Sequence, residues 1–152
     1  MIQLTLNRKM PFLLGVLLTL VTSCTSVRLV SEYDEITDKA VIALQKKVST
    51  TFVKLENDIG TDKAKYENYK GFYQNAKVDL NTLKVRADAI DKNNIVQDQI
   101  AALTSMLDNL EKLHKIGFSS VDQITPLKQP FNSAFTAIIK FQMALKRGEK
   151  RK

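Results

Sequence analysis

The residues best suited to chemistry in this sequence are its one histidine and its one cysteine. His114 follows Glu111 by three positions, which is the Glu-x-x-His spacing of metal sites in di-iron helical bundles. Such a site needs a second motif and two further glutamates, so one chain with one histidine cannot complete it. One Cys and one His cannot by themselves build a zinc site. The sequence predicts no metal site and no cofactor, and it places His114 near a helix end as a polar or capping residue.

The sequence also lacks the motifs of common catalytic and nucleotide-binding sites. The sequence contains no Gly-x-x-x-x-Gly-Lys, Gly-x-Gly-x-x-Gly, Gly-x-Ser-x-Gly or Cys-x-x-Cys-His. A Ser-His-Asp triad would have to use His114. We therefore predict no catalytic residues and a non-enzymatic protein.

Cys24 closes an N-terminal region with three distinct parts. Residues 1–9 carry two positive charges and no acid, residues 11–21 form an apolar stretch, and two small residues precede the cysteine. This order is typical of a secretory signal peptide. Even residues 10–24 together fall short of the roughly 20 residues that a membrane-spanning helix needs.

The residues Val21, Thr22, Ser23 and Cys24 resemble the lipobox of bacterial lipoprotein precursors. The resemblance implies cleavage between Ser23 and Cys24 and a mature chain that begins with a lipidated Cys24. In bacterial lipoproteins, the residue after the lipidated cysteine often decides the membrane to which the protein is sorted, and Asp is the residue that changes the outcome. Here that residue is Thr25, which implies delivery to the outer membrane, facing the periplasm, in a cell with two membranes. The alternative is ordinary cleavage after Ser23, which leaves an exported protein with a free thiol.

Residues 33–47, with residues 135–138, are similar to uncharacterised helical envelope lipoproteins. This likeness implies neither a catalytic residue nor an activity. The predicted regions are a signal peptide over 1–23, a lipidated tether over 24–31, a helical bundle over 32–148 and a basic tail over 149–152.

Beyond residue 31, apolar residues recur at steps of three and four, as in amphipathic helices. Helices are predicted over residues 32–59, 62–92 and 95–116, and from Pro126 or Pro130 to about Arg147. The predicted N-caps of the first three helices are Ser31, Thr61 and Asn94. The glycines expected to follow helix ends are Gly60, Gly117 and Gly148.

Short connections between these helices favour antiparallel neighbours. We therefore predict an all-α fold, an antiparallel up-down-up-down four-helix bundle that follows a cleaved signal peptide. The alternative is a longer hairpin or coiled coil that oligomerises through the apolar stripe over 41–59.

Positive charge is concentrated at the C-terminus. The chain has a net charge of +7, and the basic residues of its last seven positions are Lys146, Arg147, Lys150, Arg151 and Lys152. A bundle of four helices returns this tail to the side of the tether, whose residues 25–31 span at most about 25 Å. The tail is predicted to contact anionic lipid. The alternative is a frayed helix end that complements the helix dipole. No aromatic residues interleave the tail, so nucleic acid is not a predicted partner.

Aromatic residues cluster toward the end of the bundle that would lie farthest from the membrane. They are Phe52, Tyr66, Tyr69, Phe72, Tyr73, Phe118, Phe131 and Phe135. The set predicts an aromatic core. The alternative is a partner-binding patch that includes Tyr73, which lies off the main apolar stripe.

Two functions fit these features. The first is a membrane-tethered helical lipoprotein of the bacterial cell envelope, an interaction or structural module whose partners are the membrane and an envelope protein. The second is a small-ligand or lipid-binding bundle of the periplasm. A tightly packed interior favours the first, and a cavity of about 300 Å³ or more between the helices favours the second.

Overall fold

A computed structural model describes residues 29–149 of the chain. The predicted signal peptide, the cleavage site at Ser23 and Cys24, and the tail residues Lys150, Arg151 and Lys152 lie outside the described residues.

Four α-helices make up most of the described chain. They are α1 (Glu35–Asp58), α2 (Lys70–Asp88), α3 (Asn94–Ile116) and α4 (Val121–Glu149). Each helix packs against its neighbours in sequence, and α4 packs back against α1. The predicted all-α four-helix bundle is confirmed, and residues 29–149 contain no strand.

The core forms where the apolar stripes of the four helices meet. The buried apolar residues of α1 are Val41, Leu44, Val48, Phe52 and Leu55, spaced three or four apart. Burying an aliphatic or aromatic side chain of this size contributes about 1.5–3 kcal/mol. Other helices of the same chain cover this stripe. The face that the coiled-coil alternative would use for oligomerisation is therefore occupied within one chain.

Helix α1 begins at Glu35 and is capped by Asp34, where the sequence predicted a start at residue 32 with Ser31 as cap. The Asp34 carboxylate accepts hydrogen bonds from the backbone N–H groups of Ile36 and Thr37 at 3.3 and 3.2 Å, the usual role of an N-cap side chain. The Ser31 hydroxyl instead donates to Oδ1 of Asn93 at 3.0 Å.

The segment predicted to start the second helix at residue 62 forms two short 3₁₀ turns, Asp62–Ala64 and Tyr66–Asn68. Thr61 does cap the first turn, because its hydroxyl accepts from the Lys63 N–H at 3.2 Å. The Asn68 N–H, which would bond Ala64 in an α-helix, donates to the Lys65 carbonyl at 3.0 Å. Helix α2 therefore begins only at Lys70.

Helix α2 ends at Asp88, four residues before its predicted end. Lys92 has a positive φ of 58°, a left-handed conformation that interrupts a helix. The N-cap position of α3 belongs to Asn93 and not to the predicted Asn94. The Asn93 side chain makes no capping bond because its amide donates to the Ala87 carbonyl at 3.2 Å and its oxygen accepts from Ser31.

Helix α4 begins at Val121, so the predicted start at Pro126 or Pro130 was wrong. Both prolines lie inside the helix, although each removes one backbone donor. The Ser119 N–H donates to Oε1 of Gln123 at 2.8 Å, which gives the start of this helix a side-chain partner. Gly60 and Gly117 follow helix ends with positive φ, as predicted, whereas α4 continues through Gly148.

Candidate functional sites

The bundle has two ends that differ in chemistry. The terminal end comprises residues 29–36, 86–95 and 141–149, and the aromatic end comprises residues 58–73 and 107–124. The N–H of Tyr33 donates to Oε1 of Glu149 at 3.0 Å. The start of α1 and the end of α4 therefore lie together, which confirms the predicted return of the fourth helix.

An extended segment at the terminal end, residues 29–34, leads into α1. The Ser31 N–H donates to the Lys92 carbonyl at 3.0 Å, and its hydroxyl bonds Asn93. Two residues further on, the Tyr33 N–H bonds Glu149 on α4. These contacts join the start of the described chain to both the α2–α3 connection and α4.

Asp34 joins the same segment to α2 through a two-pronged ion pair with Arg86. Nε and Nη2 of Arg86 donate to the two carboxylate oxygens at 2.5 and 2.6 Å. The hydrogen bonding to Arg86 lowers the pKa of Asp34 to about 2. Because a paired arginine and carboxylate match in geometry, this contact fixes where the chain enters the bundle.

Two of the predicted membrane-contact residues, Lys146 and Arg147, lie exposed near the end of α4. Nζ of Lys146 is 5.0 Å from the ring centroid of Tyr33 and 3.5 Å from its hydroxyl oxygen. Nε of Arg147 donates to the Met143 carbonyl at 3.3 Å. The structure therefore places both cations at the terminal end.

A groove of about 380 Å³ runs between the extended segment and the last turns of α4. Its apolar lining consists of Val30, Tyr33, Phe141, Ala144, Leu145 and Gly148. The carboxylate-bearing residues Glu32 and Glu149 also border it. Sequence reasoning missed this groove because its two walls come from opposite ends of the chain.

At the aromatic end, His114 is 1% exposed and both of its ring nitrogens are engaged. Nε2 is 2.7 Å from the Ala64 carbonyl oxygen and Nδ1 is 2.9 Å from the Tyr73 hydroxyl. Since a carbonyl only accepts, the neutral ring carries its proton on Nε2 and accepts from Tyr73 on Nδ1. Burial lowers the pKa of His114, which favours this neutral form. His114 lies in the last turn of α3, as predicted, and its ring bonds Ala64 and Tyr73 and does not cap its own helix.

Four aromatic rings surround the imidazole. Their centroids lie 5.0 to 6.0 Å from that of His114, and they belong to Tyr66, Tyr69, Tyr73 and Phe118. Tyr73 is 1% exposed, and burial raises the pKa of its hydroxyl. The predicted aromatic core is confirmed at Tyr73, and the alternative that made Tyr73 part of an exposed patch was wrong.

Glu111 lies beside this cluster and accepts three polar contacts. The Tyr66 hydroxyl donates to Oε1 at 2.6 Å, Nζ of Lys77 is 2.6 Å from Oε2 and Nζ of Lys115 is 3.1 Å from Oε1. Hydrogen bonding from Lys77 lowers the pKa of Glu111 to about 2. The carboxylate is therefore an ionised acceptor between two cations.

One sequence signal could have identified His114 as a core residue. Buried positions of α3 include Leu103, Leu107, Leu110 and His114, which continue the steps of three and four. The neighbouring Leu113, by contrast, is 41% exposed. Periodicity alone thus placed position 114 inside, but the polarity of histidine argued against it.

The chain matches no protein-family model, no curated protein and no solved structure. Within residues 29–149, no helix is both long and apolar enough to span a bilayer. The same described residues contain no group of three or more His, Cys, Asp or Glu side chains placed to hold a metal ion.

Proposed function

We propose that this chain is a membrane-tethered, non-enzymatic helical lipoprotein of the bacterial cell envelope, an interaction or structural module. The observation that carries the proposal is the anchoring of residues 29–34 at the terminal end, beside Lys146 and Arg147. Cys24 precedes Leu29 by five residues, so its sulfur is within roughly 20 Å of Leu29 even in an extended chain. Lipid on Cys24 would hold this end of the bundle close to the bilayer.

The proposed anchor is the acylated Cys24, generated by cleavage after Ser23. Each buried CH₂ group contributes about 0.8 kcal/mol, and two acyl chains give lasting attachment where one does not. The membrane proposed is the outer membrane, with the bundle on its periplasmic face. Basic residues add contact with anionic lipid at about 1 kcal/mol each. They are Lys146, Arg147, Lys150, Arg151 and Lys152.

The packing of the core favours this function over a bundle that holds a ligand inside. A void bordered by Leu44, Leu80, Leu103 and Phe135 measures about 10 Å³, no more than the space of one water. A small-ligand pocket has a volume of about 300 Å³ or more. The proposed partners are the membrane and an envelope protein, and neither nucleic acid nor a cofactor is proposed.

The non-enzymatic part of the proposal is supported by how the reactive side chains are used. Both nitrogens of His114 bond groups of the same chain, and Glu111 accepts from Tyr66 and two lysines. A general base must be within reach of a substrate proton. His114 is 1% exposed, and neither of its ring nitrogens is without a partner in the same chain.

Metabolic labelling with a radioactive fatty acid tests the tether. We expect label in the wild-type chain and none in Cys24→Ala, because only the thiol can receive the diacylglyceryl group. Ser23→Ala is the matched control, since it keeps a small residue before the cysteine and should keep the label. Label that persists in Cys24→Ala would overturn the proposed site of attachment.

A further inference from the structure

The groove at the terminal end has the size of a ligand site but an apolar lining. Its volume of about 380 Å³ lies within the usual range for small-molecule pockets, roughly 300–1,000 Å³. Val30 and Tyr33 form one wall, and Phe141 and Leu145 form the other. Such a surface favours a hydrocarbon occupant, because burying apolar area removes it from water.

Gly148 lines the groove at the end of α4 without a side chain. A Cβ atom at this position would meet no heavy atom within 4 Å, so the space beside the glycine is empty. Ala144, one turn earlier, also presents a small side chain to the groove. A larger residue at 148 would fill this space without a steric clash.

Charges at the rim indicate which part of a lipid would occupy the groove. Glu32 and Glu149 border the cavity itself, so an anionic head group inside it would meet two carboxylates. Nζ of Lys146 lies over the Tyr33 ring at the rim, and Arg147 follows on the exposed end of α4. This arrangement suits a hydrocarbon chain within the groove and a phosphate group outside it.

We propose that the terminal-end groove takes one acyl chain of an anionic phospholipid from the bilayer to which the protein is tethered. The inference rests on the proposed function, because the five-residue link from Cys24 to Leu29 brings the groove to the lipid surface. Lys146 and Arg147 bind the head group of the same lipid. The bundle is thereby oriented with its terminal end against the bilayer.

The absence of tryptophan from the chain allows a fluorescent reporter to be placed in the groove. The acylated protein carrying Phe141→Trp is reconstituted into phosphatidylglycerol vesicles whose acyl chains are brominated, since bromine quenches indole fluorescence on contact. Phe118→Trp is the matched control, because Phe118 is also half-buried but lies at the aromatic end. We expect strong quenching of the reporter at 141 and little at 118.

A second pair of variants tests whether the groove itself is required. Gly148→Leu fills the groove and should bring quenching of the Phe141→Trp reporter down to the level of Phe118→Trp. Gly71→Leu is the control, because Gly71 is also a helical glycine at which an added Cβ atom would meet no heavy atom within 4 Å, and it should leave quenching unchanged. Circular dichroism confirms that each variant folds.

Each outcome bears on one part of the proposal. Equal quenching at 141 and 118, or no effect of Gly148→Leu, would overturn the groove as a lipid site. Equal quenching by brominated phosphatidylcholine would overturn the preference for an anionic lipid. An unquenched reporter at 141, whatever its emission maximum, would overturn a bilayer lipid as the occupant. Loss of co-flotation with vesicles would overturn the proposed function itself, whereas flotation with an unquenched reporter overturns the groove alone.

Discussion

The ion pair that joins distant segments at the terminal end is more exposed than the hydrogen bonds of His114 at the aromatic end. At the terminal end, Asp34 and Arg86 form an ion pair whose side chains are 15% and 36% exposed. At the aromatic end, the bond between Tyr73 and His114 is buried and the bond between His114 and Ala64 is partly buried, both among aromatic rings. The ion pair uses charge, and the bonds of His114 use a neutral ring.

This difference has consequences for how each end responds to change. A buried donor or acceptor that loses its partner costs about 1–3 kcal/mol, whereas water can replace a partner near the surface. The aromatic end should therefore tolerate substitution poorly and carry most of the local stability. The terminal end combines its ion pair with extended backbone and an open groove, features suited to contact with another surface.

The largest effect is expected from His114→Ala. The substitution leaves the Tyr73 hydroxyl and the Ala64 carbonyl without their partner and opens a cavity, so it should lower the free energy of unfolding by about 3 kcal/mol. Urea unfolding followed by circular dichroism measures the loss. Lys112→Ala, at an exposed position of the same helix, should change it by less than about 0.5 kcal/mol. Equal midpoints for the two variants would show that the bonds of His114 do not stabilise the aromatic end.

A smaller loss is expected from Asp34→Ala at the terminal end. It removes the α1 cap and the ion pair with Arg86, which together should cost about 2 kcal/mol. Asp34→Asn keeps a capping side chain without the charge and should lose about half as much. The same urea experiment applies. If Asp34→Ala proved more damaging than His114→Ala, the surface contacts would outweigh the buried ones.

Lowering the pH should weaken the bundle in two steps, of which the first concerns the aromatic end. Burial lowers the pKa of His114 from its ordinary 6.5, so the unfolded chain binds a proton first and stability falls as the pH drops below about 6.5. Asp34 at the terminal end and Glu111 at the aromatic end both have a folded pKa of about 2, against 3.8 and 4.5, so their contributions are lost only as the pH falls from about 4 toward 2. Urea midpoints measured from about pH 7 down to about pH 2 follow both steps.

His114→Gln provides the control for the first change. An amide can donate to Ala64 and accept from Tyr73 but takes up no proton in this range. The variant should therefore keep a constant urea midpoint between about pH 6.5 and 5, where the wild type loses stability. A decline of the same size in both proteins would assign the effect to another group.

The helical fold could be predicted from sequence because apolar periodicity is a local property. The stripe from Val41 to Leu55 is sufficient to define the buried face of α1. The helix starts could not be predicted as well, because they depend on distant partners. Ser31 bonds Asn93 across 62 positions and leaves the cap to Asp34. The Ala64 carbonyl is bonded by His114, 50 positions away, and the second helix begins only at Lys70.

Some features of the candidate sites could likewise be predicted from the local sequence, whereas others depend on residues that are distant in the chain. Local composition placed Lys146 and Arg147 at a helix end, and the fold brings that end beside residues 29–34. The groove could not be predicted because Val30 and Phe141 are brought together only by the return of α4. Cys24 remains a prediction from its neighbours in sequence.

The most direct test of the tether is the intact mass of the protein extracted from the envelope of its own host. We expect the mass of a chain that begins at Cys24 and carries two or three acyl chains on that residue. A mass that matches the chain without acyl groups, or one that retains residues 1–23, would contradict a lipid-anchored bundle.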